Sequence, residues 1–194
     1  MGGIPSEGMG AHTRLRYVSW RGDTQNVTQH VMQYVMQLEI DAPARAAWMV
    51  LGEQFGQIAR WTSTLDESWL EGDLGPGALR VCQSSQSFGP FPPSKVTERL
   101  LDYDPALMEL RYEATQGMPA MFREAVNHWR IETVSDTRCR VVSTAQVRLA
   151  WWALPLTPLM RIMMKSPMKA FELEVRRAVE HARGVLPRDA HEPV

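Results

Sequence analysis

The segment from residue 69 to residue 149 constrains the fold most strongly, because runs with strand spacing fill it and turn signals separate them. In the last of these runs, 138–149, small or apolar residues occupy every second position, and mainly charged or polar residues lie between them. This alternation is typical of a strand with one buried face. Turn-forming residues between the later runs predict hairpins, and hence antiparallel neighbours. The predicted strands are 69–71, 78–83, 96–101, 108–114, 123–134 and 138–149.

The segment that follows the strands has helical spacing instead. Its apolar residues recur every three or four positions, as in a helix with one buried stripe. Ser166 and Pro167 suit a cap and a first turn, so we expect the main helix to begin there and to end near Gly184. Residues 158–165 are predicted to form a separate helical piece. The stripe consists of Met164, Met168, Phe171, Val175, Ala178 and Ala182.

The first part of the chain supplies one more strand and two short helices. Apolar and polar residues alternate over 36–40, which predicts a half-buried strand. Pro43 favours the start of a helix directly after it, and a second short helix is predicted at 55–61. One long helix against a curved antiparallel sheet is an α+β arrangement of two layers. The predicted organisation is a flexible N-terminal extension (1–32, with a possible strand at 15–20), one domain (33–184) and a flexible tail (185–194).

Composition and motifs exclude several classes of function. A net charge of -1 and a pI near 6.5 give no electrostatic footprint for nucleic acid. No apolar run is long enough to predict a transmembrane segment. Only two cysteines occur, so a reducing cytoplasm is the simplest location. The sequence has no nucleophile elbow, phosphate loop, dinucleotide fingerprint or zinc-binding helix motif, and it therefore predicts no cofactor and no metal and leaves catalytic residues unknown.

Four short motifs, in order along the chain, carry a resemblance to a known superfamily. They are Ile40-Asp-Ala-Pro-Ala-Arg-Ala-Ala-Trp48, Phe55-Gly-Gln-Ile-Ala-Arg-Trp61, Gly77-Ala-Leu-Arg80 and Glu98-Arg-Leu-Leu-Asp-Tyr-Asp104. Over residues 34–184 the chain resembles the START-like superfamily (SRPBCC), and in particular its polyketide cyclase/dehydratase branch. The resemblance implies a helix-grip fold, in which a curved antiparallel β-sheet wraps around a long C-terminal α-helix and encloses a cavity. It is specific for a fold and not for an activity.

The resemblance also implies which residues line the cavity, namely the inner faces of the strands and one face of the long helix. Alternation counted from Gly117 and Glu98 places Tyr112, Glu98, Glu124 and His128 on inward positions. The larger apolar side chain of Trp129 favours the opposite phase, which would place His128 outside unless a bulge shifts the register. The expected ligand-binding residues are Arg80, Cys82, Val96, Glu98, Tyr112, Glu124, His128, Met164, Met168 and Phe171.

Two alternatives stay open for the charged residues of this set. Arg80 and Glu98 either pair with each other and neutralise charge behind the cavity wall, or contact the polar end of a ligand directly. A carboxylate beside His128 and Tyr112 could instead move a proton. The methionines of the long helix suit a wall that adapts to apolar ligands of varied shape.

Three functions are compatible with these features. We expect binding or carriage of a hydrophobic small molecule, such as a lipid, a polyketide or an aromatic compound, in the internal cavity. The first alternative is an enzyme of the polyketide cyclase/dehydratase type that uses the same cavity. The second is an interaction module that docks through the apolar run containing Trp151 and Trp152, with transient membrane contact as one form of docking. The sequence leaves the ligand and the oligomeric state open.

Overall fold

The computed structural model describes residues 31–87 and 91–184. The predictions for the N-terminal extension, including the possible strand at 15–20, and for the tail after residue 184 fall outside the described residues. Within them, seven strands form one sheet, and every neighbouring pair is antiparallel in the order β1-β7-β6-β5-β4-β3-β2. The strands are β1 Val31–Ile40, β2 Glu67–Glu71, β3 Leu79–Ser84, β4 Ser94–Asp104, β5 Glu109–Gln116, β6 Phe122–Ser135 and β7 Arg138–Leu149.

Short helical segments connect β1 to β2 and β7 to the long helix. Helix α1 (Ala44–Trp48) runs into a π-helical turn (Met49–Glu53), and a 3-10 helix (Phe55–Arg60) follows. A second 3-10 helix (Trp151–Leu156) leads into the long helix α2, Thr157–Arg183. No described helix is both long and apolar enough to cross a membrane.

This architecture confirms the predicted α+β helix-grip fold. The sheet is curved, register shifts in β4 and β6 interrupt its regular pairing, and α2 lies against it. The antiparallel neighbours predicted from the turn signals are present. Gly117 shows why one of these turns needs glycine: its φ is +83°, and a Cβ atom there would lie 1.9 Å from the carbonyl oxygen of Lys95.

The predicted start of the long helix is wrong. Helix α2 begins at Thr157 rather than at Ser166 and continues through Pro167, so residues 158–165 are not a separate piece. Pro158 occupies the first turn, where a missing N–H group costs nothing. Pro167 removes a backbone hydrogen bond inside the helix, a cost of about 3 kcal/mol. Burial of Met160 on one side of Pro167 and of Val175 on the other offsets this cost.

The main core lies between the second half of α2 and the end of the sheet where β1 finishes. Val175 and Val179 are fully buried there, against apolar side chains of β1, β5, β6 and β7. Trp48 closes this end, with its ring 5.2 Å from that of Tyr103. The buried strand residues of this core are Met36, Leu38, Ile40, Leu100, Leu110, Trp129, Ile131, Cys139 and Val141.

Candidate functional site

The inner face of the sheet changes character towards the end where β7 finishes. Tyr34 pairs with Ala145, Ala145 with Asn127, and Asn127 with Tyr112, so small and polar side chains follow the large apolar ones of the core. These side chains are only partly buried. We call this region the open end; its inward residues are Tyr34, Val96, Glu98, Tyr112, Ala114, Ala125, Asn127 and Ala145 from the sheet, and Met164 and Met168 from α2.

Helix α2 contacts the sheet on either side of the open end. On one side, Met160 is buried with Leu149. On the other, the ring of Phe171 lies 5.8 Å from Trp61 and 6.3 Å from Trp129. Between these anchors, Met164 and Met168 are half-buried. From the partial burial of these methionines and of the small side chains of the sheet, we infer a cleft between the first half of α2 and the sheet.

A chain of hydrogen bonds crosses the floor of the cleft. Ser143 Oγ donates to Asn127 Oδ1 at 2.9 Å, and Asn127 Nδ2 donates to the Tyr112 hydroxyl at 3.0 Å. The indole N–H of Trp129 donates to the same hydroxyl at 3.3 Å. Burial raises the pKa of Tyr112, so its phenol keeps its proton at neutral pH.

The predicted pair of Arg80 and Glu98 is present. Arg80 Nε donates to Glu98 Oε2 at 2.6 Å, and Nη1 donates to the backbone carbonyl of Phe55 at 3.2 Å. The guanidinium also lies between two rings, 4.0 Å from the centroid of Phe55 and 4.6 Å from that of Tyr112. Burial alone would lower the pKa of Arg80, but the electrostatic effects of Glu98, Tyr112 and Cys82 together outweigh it, and the pKa is raised. Arg80 is thus held behind the floor of the cleft, and Glu98 is the more accessible of the two side chains.

Cys82 lies beside this pair, with its sulfur 3.7 Å from Glu98 Oε2. Burial raises the pKa of its thiol to about 12, so it stays protonated at neutral pH. A protonated, buried thiol is a poor nucleophile. Cys82 therefore contributes packing at the edge of the cleft.

A second buried carboxylate, which the sequence analysis missed, lies on α2. Glu172 is buried, and the Tyr34 hydroxyl donates to its Oε1 at 2.9 Å. A signal for this residue exists in the sequence: Glu172 follows Met168 by four positions and precedes Val175 by three, which places a charge on the apolar stripe. The same signal exists for two strand residues. Tyr34 lies two positions before Met36 in β1, and Asn127 lies two positions before Trp129 in β6, so each is a polar residue on the inward face of its strand.

The structure corrects the inward placement of Glu124 and His128. Both lie on the outer face of the sheet, where His128 Nε2 is 3.3 Å from Glu109 and Glu124 pairs with Arg148 at 2.8 Å. The large apolar side chain of Trp129 is buried, and this determines which residues of β6 face inward and which face outward. The register shift between Phe122 and Glu124 comes before this stretch and does not bring His128 inward.

The internal cavity that the resemblance implies stays a prediction. A partly open void of about 10 Å³ lies in the core, which is room for roughly one water molecule. Its lining includes Phe55, Trp61, Arg80, Tyr112 and Trp129. We infer the space for a ligand beside α2 instead, among the partly accessible side chains of the open end.

Two further features bear on what the molecule binds. A wide groove of about 570 Å³ lies outside, between the 3-10 helix Phe55–Arg60 and β2, and its lining includes Glu53, Arg60, Asp66 and Glu67. With this charged lining, the groove suits an apolar ligand less well than the open end does. Over 31–87 and 91–184, no three His, Cys, Asp or Glu side chains converge as a metal site requires.

Comparison with known proteins places this architecture in a family. The model of the family described as polyketide cyclase/dehydrase and lipid transport matches residues 24–180. No curated protein sequence matches the chain.

Several solved structures share the fold at low sequence identity. The Zhui aromatase/cyclase from Streptomyces sp. R1128 has a TM-score of 0.65 at 18% identity, over 85% of this chain and 100% of that one. Norcoclaurine synthase from Thalictrum flavum has a TM-score of 0.63 at 14% identity, over 88% and 99%. A START superfamily protein from Mycobacterium smegmatis has a TM-score of 0.62 at 12% identity, over 77% and 97%. At these identities the likeness shows the fold alone.

Proposed function

The chain belongs to the polyketide cyclase/dehydrase and lipid transport family, and from this premise we propose that it binds a hydrophobic small molecule in the cleft of the open end. The ligand is largely apolar or aromatic and carries hydroxyl or carbonyl oxygens. One observation carries the proposal: inward positions that are filled by large side chains elsewhere hold accessible Ala114, Ala125 and Ala145 here.

The side chains around the cleft support this choice of ligand. Met164 and Met168 give an adaptable apolar wall on the helix side. On the sheet side, the Tyr112 hydroxyl accepts two hydrogen bonds, and its own hydrogen is used in neither of them. Tyr112 therefore suits donation to a carbonyl or hydroxyl oxygen of the ligand. A few polar groups within an apolar wall are the usual composition of a small-molecule site.

Titration with the neutral apolar dye N-phenyl-1-naphthylamine tests the proposal. The fluorescence of the dye should rise with the wild-type protein and stay low with Ala145→Phe, whose ring fills the cleft. Thr144→Phe is the matched control, because Thr144 lies next to Ala145 on the same strand but on the outer face. Equal fluorescence for both variants, or no rise with the wild-type protein, would contradict the proposal.

A second candidate is a reaction of the polyketide cyclase/dehydratase type in the same cleft. The pair of Glu172 and Tyr34 favours it, because a buried carboxylate within hydrogen-bonding distance of a phenol is suited to move a proton to or from a bound ligand. The expected acid–base role of His128 does not support this candidate, since His128 lies on the other face of the sheet.

Native mass spectrometry of the protein purified from its own host separates the two candidates. A co-purified ligand gives the chemical class, and its mass after incubation shows whether it is converted. Conversion by the wild-type protein, lost in Glu172→Gln but kept in Glu180→Gln on the exposed side of α2, would favour the enzyme. A ligand of unchanged mass with all three proteins would favour binding alone.

A further inference from the structure

The outer side of the segment after β7 carries several exposed apolar side chains. Trp151 is 80% exposed and Ile162 is 64% exposed, values that are high for large apolar residues. They come from the 3-10 helix Trp151–Leu156 and from the side of α2 that faces away from the sheet. We call this set the apolar face; its members are Trp151, Trp152, Leu156, Leu159, Ile162, Met163 and Leu173.

The apolar face borders the open end. Ala153 and Met160 belong to the same segment as the exposed residues, but they are buried in a small cluster with Leu149 at the end of β7. Met32 from the start of β1 and Phe122 from the start of β6 pack against this cluster. The apolar face and the entrance to the cleft therefore lie at the same end of the molecule.

Across residues 151–171, which carry every member of the apolar face except Leu173, all charged residues are basic; Leu173 itself lies between Glu172 and Glu174. From residue 137 to residue 171 the chain contains no aspartate or glutamate, and Arg161, Lys165 and Lys169 lie within the segment that carries the apolar face. Lys165 and Lys169 are exposed. The protein as a whole has a net charge of -1, so this basic segment is a local feature.

We propose that the apolar face docks on a membrane surface containing anionic lipid. Tryptophan favours the boundary between headgroups and acyl chains, where its ring is apolar and its N–H is hydrated. Leu159 and Ile162 enter the acyl boundary, and Lys165 and Lys169 bind anionic headgroups. The segment lies in the plane of the surface. Docking brings the entrance of the cleft next to the lipid, and it does not depend on which ligand the cleft binds.

The charge pattern favours a membrane over a second copy of the chain. In a two-fold symmetric dimer the same patch contacts itself. Lys165 and Lys169 of one copy would then face the basic residues of the other, and like charges across an interface are unfavourable. An anionic lipid surface complements both the apolar residues and the charges.

Co-sedimentation with vesicles, without any added ligand, tests the proposal. The full chain should bind vesicles made of equal parts phosphatidylglycerol and phosphatidylcholine, and bind pure phosphatidylcholine vesicles more weakly. Changing both Lys165 and Lys169 to Gln should weaken binding to the anionic vesicles roughly 30-fold, since each basic residue contributes about fivefold. Trp151→Ser should weaken binding roughly tenfold or more.

The matched control is Leu107→Ser. Leu107 is 65% exposed, but it lies in the turn between β4 and β5 at the opposite end of the sheet, so this change should leave vesicle binding unaltered. Hydrogen exchange of the wild-type protein gives a second readout: residues 151–169 should become protected on vesicles, and residues 104–109 should not. Failure to bind either vesicle, equal binding by all variants, or a dimer in sedimentation velocity that Trp151→Ser dissociates would overturn the proposal. Because no ligand is present, none of these results bears on the dye titration.

Discussion

The two ends of the sheet differ, although the same strands and the same helix form both. At the end of the sheet where β1 finishes, which we call the closed end, Val175 and Val179 of α2 are fully buried in one cluster with Ile40 and Val141, and little space is left between helix and sheet. At the open end, Met164 and Met168 of the same helix stay half-buried. The inward sheet positions at this end carry alanine, asparagine and tyrosine rather than large aliphatic side chains.

This difference indicates that side-chain size, more than backbone topology, determines where the fold has space for a ligand. Close packing fills an interior wherever the side chains are large enough to reach across it. Along β7, Cys139 and Val141 belong to the filled part of the core, whereas Ala145 is partly accessible. The change in packing thus takes place within a few residues of one strand.

The largest effect is expected at the floor between the two ends, where Arg80 and Glu98 meet. Arg80→Met or Glu98→Gln alone should lower the free energy of unfolding by about 3–5 kcal/mol, because each change leaves a buried or partly buried charge without its partner. The double variant should lose less than the sum of the two single losses. Urea denaturation of all four proteins gives the coupling energy. If the two single losses add up to the loss of the double variant, the two residues are not coupled, and Glu98 becomes a candidate acid or base.

A matched pair of methionines sharpens the comparison of the two ends. Met36 is 2% exposed in the closed end, so Met36→Ala should cost about 2–5 kcal/mol of unfolding free energy. Met168→Ala should cost about 1 kcal/mol or less, because Met168 is half-buried beside space that already exists. Thermal and urea denaturation measure both values. Equal losses would mean that the open end is as tightly packed as the closed end.

The last effect concerns the two buried cysteines under alkaline conditions. Burial raises the pKa of Cys82 to about 12 and that of Cys139 to about 11, from an ordinary value of 9.0. Above pH 9 the unfolded chain therefore loses these protons while the folded chain keeps them, and the free energy of unfolding should fall as the pH rises from 9 to 11. A variant with both cysteines changed to Ala should show a shallower fall in urea denaturation at the same two pH values. An identical fall would exclude the thiols as its source.

The fold followed from the sequence because its signals are local and agree with one another. Alternation in 138–149 and the turn residues before it were enough to predict the antiparallel hairpin that this strand forms with β6. The start of α2 was not predictable in this way, because Ser166 and Pro167 form a strong local signal that packing on both sides overrides. Tertiary packing of Met160 and Val175 is absent from any short window of sequence.

The candidate site was predicted only in part, for a related reason. Arg80, Glu98 and Tyr112 were expected at the cavity from the resemblance, and the structure brings them together. The inward orientation of Glu124 and His128 was predicted by counting alternate residues from positions outside β6. Such counting fails when the chain passes through a turn and an irregular strand pairing in between. Whether the expected residues bind a ligand stays a prediction.

The most direct test of the account is an NMR titration of protein carrying ¹³C-labelled methionine methyl groups with N-phenyl-1-naphthylamine. The methyl groups report on both ends of the sheet in one sample, with Met164 and Met168 at the open end and Met36 at the closed end. The account predicts that the signals of Met164 and Met168 shift on addition of the dye and that the signal of Met36 does not. Shifts at Met36 without shifts at Met164 and Met168, or no shifts at any of the three, would contradict it.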